Sequence, residues 1–306
     1  MMATNARTRK FQMNILYNKK LAPYIFVLPF LISFTIFFAY PIVSTVIMSF
    51  QKIEGLDSVS FIGLGNYKRL INEHFFNALK TSTIYTLCII CTLVPIPIIF
   101  AAFLNSALLK FRNFFRAAIF VPALTSVIVA GIAFRLMFSE QDTGFFNSII
   151  IAMGGNPVVW NMGYWTSIIM MVTLATWRST GINVIYYLSA LQSVPEELYE
   201  SADIDGANAA QKFLKITLPQ LRPIIIYIFT ITIIDGYRMF TESYVFWNES
   251  NPGDIGLTMV RYIYQQAFQR NDLGMGSAIG VTLLLIILII NIIQLKYLGL
   301  FKEGDE

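Results

Sequence analysis

Residues 277–300 read SAIGVTLLLIILIINIIQLKYLGL, and Lys296 is their one charged side chain. At a helical rise of about 1.5 Å per residue, about twenty mainly apolar residues span the hydrocarbon core of a bilayer. Five more stretches meet the same test: 21–50, 84–109, 114–138, 164–191 and 224–247. Composition agrees with them. The 306 residues are 56% hydrophobic, 15% aromatic and 13% charged, and mean hydropathy is +0.62. Soluble domains carry about 25% charged residues, so this chain has too little polar surface to wrap a water-soluble globule. The expected fold is an all-α polytopic bundle of six transmembrane spans over 21–306, preceded by a short segment, 1–20. The first span is too long for the apolar core of a signal peptide, and no small-residue cleavage site interrupts it. Pro29 and Pro41 in the first span, and Pro95 and Pro97 in the second, should kink the helices or mark their ends.

Lysine and arginine set the orientation. Arg7, Arg9, Lys10, Lys19 and Lys20 precede the first span with no acid among them. Lys110, Arg112 and Arg116 fill the link between the second and third, and Lys296 and Lys302 close the chain. The stretch 139–163 has no basic residue, only Glu140 and Asp142. Both termini and the basic link are therefore expected in the cytoplasm, a parity that six spans satisfy. The segment 51–83 fits least well: it carries Lys52, Lys68, Arg69 and Lys80 yet must face outward.

Other chemistries find little support. His74 is the sole histidine, so paired-histidine metal motifs are missing, and no metal site is expected. Cys88 and Cys91 lie three apart in an apolar run, a spacing that one helical turn cannot bring to disulfide geometry. No nucleophile motif or acid–base pair suggests an enzyme, and the net charge of +4 is too modest to suggest nucleic acid. Gly63 and Gly65 lack the rest of a phosphate loop and read as a turn, so any nucleotide would be bound by a partner.

The segment between the fourth and fifth spans, 194–223, reads VPEELYESADIDGANAAQKFLKITLPQLRP. Pro195 suits the first turn of a helix, and Glu196 and Glu197 favour its positive end. Leu198 and Ala202 give it a narrow apolar stripe, which Ile204 extends. Gly206 breaks it. A second stretch sets Phe213, Ile216 and Leu218 against Lys212 and Lys215, and Pro219 ends it. Its acidic first half suits an anionic membrane surface poorly. The segment reads as a short helix–turn–helix that receives a partner.

Glu200, Ser201, Ala202, then Asp205, Gly206, Ala207, then Phe213, Ile216, Leu218 and Pro219 resemble the EAA loop of ABC-importer permeases. Ser201 stands where that family usually has a second alanine; it is still small. Residues 120–124, 242–247, 251–258 and 262–266 extend the likeness to the carbohydrate branch, in particular arabinose and arabino-oligosaccharide permeases of Gram-positive bacteria. The resemblance implies a type I importer permease without catalysis of its own. Its partners would be a second permease subunit, two ATP-binding cassette ATPases and an extracellular sugar-binding lipoprotein. The EAA loop would dock on the ATPase, and ATP-driven closure there would rock the spans.

Ionisable residues at membrane depth usually face a cavity or each other. Arg178 falls near the middle of the fourth span and Asp235 near the middle of the fifth, at similar depth; Arg238 and Glu242 follow at i,i+3 and i,i+4 spacings. Together with Trp177 and Tyr237, and with Tyr186 and Tyr244 as further aromatics, they are candidates for a sugar pathway. Internal ion pairs, Arg178 with Asp235 or Arg238 with Glu242, are the alternative. Arg135 reads as an interface anchor. Leu257, Val260, Tyr264, Ala267 and Phe268 suggest an amphipathic helix on the outer surface, as a lid or a contact for the sugar-binding protein. Two other functions stay open: an ion-gradient carrier with Asp235 as the ion site, and an importer of another solute such as glycerol phosphate.

Overall fold

The computed structural model describes residues 19–54, 58–106, 109–248 and 252–298. Arg7, Arg9, Lys10, Asn251 and Lys302 lie outside them. Among the described residues, five helices are long and apolar enough to cross a bilayer, and six if one bent pair counts as a crossing.

The first apolar stretch forms α1 (Ala22–Phe34) and α2 (Tyr40–Met48), joined by a π-turn at Thr35–Ala39. Pro41 explains the join, since it offers no N–H to the preceding turn and its ring needs more room. No residue of α1 is buried. A small antiparallel strand pair follows, β1 (Gln51–Glu54) with β2 (Ser58–Phe61), the one departure from an all-α fold among the described residues. The buried Asn66 of α3 (Gly65–Leu70) ties its base to α2, donating to the carbonyls of Ser49 at 3.0 Å and Gln51 at 2.8 Å.

The second crossing starts at Glu73, well before residue 84. The polar run that suggested a loop is helical: Asn72 caps α4 (Glu73–Leu93) by accepting from Phe75 N, and Thr81, Ser82 and Thr86 are buried. After a one-residue break α5 (Pro95–Asn105) continues. Pro97 leaves the Leu93 carbonyl without its helical donor, and Asn183 Nδ2 supplies one at 3.1 Å. The stretch 114–138 was read as one span. It is instead α6 (Arg112–Leu124) and α7 (Val127–Met137), bent by 94°. Pro122 loosens the last turn of α6, and Thr125 and Ser126 leave helical geometry with ψ of 136° and 129°.

The rest comprises α8 (Phe145–Ala152), α9 (Tyr164–Leu191), α10 (Glu197–Ile204), α11 (Ala209–Lys212), α12 (Leu218–Gln220), α13 (Arg222–Tyr237), α14 (Thr241–Trp247), α15 (Met259–Tyr264) and α16 (Leu273–Leu298). Helix α9 is the axis. A Cβ on its Gly181 would stand 2.2 Å from the Ile119 carbonyl oxygen of α6, and one on Gly236 of α13 2.4 Å from Thr86 Oγ1 of α4. These glycines let the backbones approach closely, as small residues do between membrane helices. One apolar cluster joins Ile98, Leu104, Tyr187, Leu188, Leu221 and Ile228. Leu109, Phe213 and Leu218 pack on it, so the basic 109–116 link and the 194–223 segment share one end of the bundle. Around the outside, α1 and α16 expose large apolar side chains such as Phe26, Phe30, Leu284, Leu288 and Ile292, a surface suited to lipid or another membrane chain.

Candidate functional site

A cavity of about 470 Å³ opens in the bundle where three irregular joints meet. Leu93 comes from the α4–α5 break, Ala123 from just before the α6–α7 bend, and Arg238 to Phe240 from a break between α13 and α14. Non-helical backbone at membrane depth is tolerated where it lines a cavity or is buried in protein.

Arg178, Asp235, Arg238 and Glu242 all line this cavity. Asp235 is exposed into it and Glu242 is buried in its wall. The expected helical register of Arg238 with Glu242 does not hold, because α13 ends at Tyr237 and α14 restarts at Thr241. Among the described residues no ion pair joins Arg178 to Asp235 or Arg238 to Glu242. Arg178 Nε is buried without a hydrogen-bond partner in the protein, a costly arrangement for a group that a ligand could satisfy.

Two expected pathway residues sit elsewhere. Trp177 turns away from the cavity and packs on Phe134, ring centroids 5.3 Å apart. Tyr237 is 4% exposed, and its hydroxyl meets Thr83 Oγ1 at 3.0 Å within the core. Tyr186 does line the cavity; Tyr244 instead stacks on the lining residue Phe240. Sequence reading missed Tyr85, Ser179, Asn183 and Thr241. Asn183 carried a signal: an amide in the middle of an apolar span needs a partner, and the proline-freed carbonyl of Leu93 is that partner.

At the end of the bundle, 194–223 forms a helix, a glycine turn and a second helical stretch, but Pro219 does not end that stretch: it lies in α12, which leads into α13, because a π-turn at Phe213–Thr217 gives its ring room. Helix α10 carries Glu200, Ser201 and Ala202; Asp205 follows it, and Gly206 turns the chain at φ +74°. Asn208 caps α11 in a reciprocal box with Gln211. Lys212 Nζ meets Asp203 Oδ1 at 2.6 Å and the Tyr199 hydroxyl meets Thr217 Oγ1 at 2.9 Å, which fixes the two halves to each other. Phe213 and Leu218 anchor the unit inward, while Pro219 is exposed. Glu200, Ser201, Asp205 and Gly206 are open to solvent, Ala202 and Ala207 partly so, and Ile204 is 88% exposed.

At the opposite end two of the basic residues of 51–83 have partners. Arg69 pairs with Asp272 at 2.7 Å, and Lys80 Nζ lies 5.2 Å from the Tyr164 ring centroid. The stretch 257–268 does not lie on the surface as a separate amphipathic helix. Leu257, Met259, Arg261 and Tyr262 are buried, because the chain dips back into the bundle after Asn248. Arg135 is exposed beside a second cavity.

Residues 75–296 match the family described as binding-protein-dependent transport system inner membrane component. The chain is 53% identical over 292 residues to the arabinooligosaccharides transport system permease protein AraP of Bacillus subtilis, covering 95% of this chain and 93% of that one. It is 30% identical to the lactose transport system permease protein LacF of Rhizobium radiobacter, over 89% and 92% of the two chains. Its fold superposes with TM-score 0.82, at 22% identity and over 96% and 99% of the chains, on a bacterial ABC transporter involved in the import of the acidic polysaccharide alginate.

Proposed function

The chain belongs to the inner membrane components of binding-protein-dependent transport systems, and on that premise we propose that it is the permease subunit of an ATP-driven importer for a neutral, arabinose-type oligosaccharide. The observation that carries the reading is the central cavity, with its two carboxylates and two guanidinium groups. Hydroxyl groups bond well to both kinds, and the four formal charges cancel. A phosphate ester, as in glycerol phosphate, would call for an excess of cations that this cavity lacks.

In this reading the 194–223 segment lies in the cytoplasm and docks on a separate ATPase, with a second permease and a second ATPase completing the complex. A sugar-binding protein delivers the substrate at the other end. Glu200 to Ala207 form the docking surface. Motion of that surface passes to α13 through Leu221, which is fully buried, and α13 carries Asp235. Arg222 Nη2 also holds the Leu298 carbonyl of α16 at 2.7 Å, so the start of α13 and the end of α16 move as one.

The test is uptake and sugar-stimulated ATPase in proteoliposomes holding the full complex. Asp235→Asn and Arg178→Gln should each lower uptake at least tenfold, a loss of about 1.4 kcal/mol of sugar interaction. Normal uptake and stimulation in both variants would remove these residues from the pathway. Uptake that collapses with an ionophore and ignores ATP would instead support an ion-gradient carrier with Asp235 as its ion site.

A further inference from the structure

Four aromatic rings lead outward from the wall of the central cavity: Phe240, Tyr244 and Tyr264 meet one another in a triangle, and Phe268 extends it from Tyr264. Phe240 is part of the cavity wall. It stacks on Tyr244 with centroids 5.3 Å apart and planes 25° apart, and its ring lies 5.3 Å from that of Tyr264. Tyr264 lies 5.7 Å from Tyr244 and 5.7 Å from Phe268, and Phe268 is 66% exposed.

The return of the chain to the bundle at α15 makes this cluster possible. Thr258 Oγ1 donates to the Met239 carbonyl at 2.8 Å, and Met259 N donates to Ser82 Oγ at 2.9 Å. The start of α15 is therefore held at the depth of the α13–α14 break. From there the helix climbs away from the cavity: Tyr262 reaches Asn72, at the cap of α4, with 3.1 Å between Asn72 Nδ2 and the Tyr262 hydroxyl. Met259, Arg261 and Tyr262 of α15 are buried. Further along, Tyr264 is partly open and Phe268 exposed; at i+3 and i+7 from Arg261 they share its side of the helix, toward α14.

Rings that only fill a core would be covered, yet Phe240, Tyr244 and Tyr264 are each partly open and Phe268 largely so. Rings that only meet lipid would have no reason to lead into a cavity with four ionisable side chains. A saccharide fits both ends. Its C–H faces carry slight positive charge and settle on the negative face of an aromatic ring, while its hydroxyl edges seek polar groups. We propose that Phe240, Tyr244, Tyr264 and Phe268 form a second saccharide-binding subsite, an approach track that holds the trailing sugars of an oligosaccharide while its leading sugar sits among Arg178, Asp235, Arg238 and Glu242. The proposal rests on the sugar-importer reading above.

The experiment measures uptake as a function of chain length, in proteoliposomes with the full complex, from arabinose to the longest arabino-oligosaccharide that the unaltered protein transports. Tyr264→Ala and Phe268→Ala should raise KM for the longer chains roughly threefold to tenfold and leave that for the shortest substrate unchanged. Phe268→Leu should be as poor as Phe268→Ala, and Phe268→Trp should restore uptake. Effects equal at every length, no effect at any length, or rescue by leucine would each overturn the track. With unaltered protein that transports sugars and Asp235→Asn that does not, those outcomes remove the track alone. Unaltered protein that carries no sugar of any length removes the importer reading and the track with it.

Discussion

A guanidinium at 1% exposure must be met by acceptors, and Arg261 is. It donates to the carbonyls of Ser243 and Asn248 and, at 3.2 Å, to Ser243 Oγ. Those groups belong to α14 and its end, so one side chain of α15 fastens the returning chain to the helix before it. Arg261→Met keeps much of the volume and removes every donor, leaving carbonyls unpaired at about 1–3 kcal/mol each. The solubilised variant should melt several degrees lower, and Arg261→Lys should recover only part, since one ammonium cannot reach as the planar fork does. An unchanged melting temperature would show that the clamp carries no stability. Nothing in the sequence distinguished Arg261 from a surface arginine: its role follows from the chain's return after Asn248, a tertiary event. Arg178 and Asp235 were legible because an ionisable residue inside an apolar span is conspicuous by itself. Trp177 and Tyr237 were misplaced for the complementary reason. Proximity along a helix does not fix which face meets the cavity, and these two point into other contacts.

Among elements, the α10–α11 unit was the most legible, because everything that shapes it is local. Pro195 and the acids open it, Gly206 turns it, and Asn208 with Gln211 caps the second half. Its function should separate cleanly from its folding. Ile204 touches little of its own chain, so Ile204→Glu should leave expression and melting temperature unchanged while lowering sugar-stimulated ATPase at least tenfold in the assembled complex. Gly206→Val acts through the backbone instead. At φ +74° a β-branched residue is strained by about 1–2 kcal/mol, and the turn should shift or fray. Full coupling in both variants would mean that this face is not where the ATPase grips. The bent elements were harder to read. Pro122 marked a weak point in 114–138, but a 94° bend also needs α9 to receive α6 closely, which Gly181 allows. The strand pair within 51–61 escaped because two four-residue strands offer too short a pattern to set against six strong apolar runs.

For the molecule as a whole, both ends of the bundle carry a signature. One end gathers the basic 109–116 link, the α10–α11 unit and the close of α16, the last through Arg222 and the Leu298 carbonyl. The other holds Glu140 and Asp142 and the end of α14, tied together where Trp247 Nε1 donates to the Asn161 carbonyl at 2.9 Å. Lysine and arginine collect on the cytoplasmic side of membrane proteins, so the first end should face the ATP. The bent third crossing is where this could fail. If α6 and α7 turned back rather than crossed, every later helix would be inverted, and the docking unit would face away from any nucleotide. Cysteine labelling decides it. With Cys88 and Cys91 replaced by serine, a membrane-impermeant maleimide on cells stripped to the cytoplasmic membrane should label Met153→Cys, a site 83% exposed, and spare Ile204→Cys. Inside-out vesicles should reverse the result. The opposite pattern, Ile204→Cys labelled on such cells and Met153→Cys spared, would make the 94° bend a re-entrant loop and leave five crossings, an arrangement in which the chain could not couple the cavity to a cytoplasmic motor through α10.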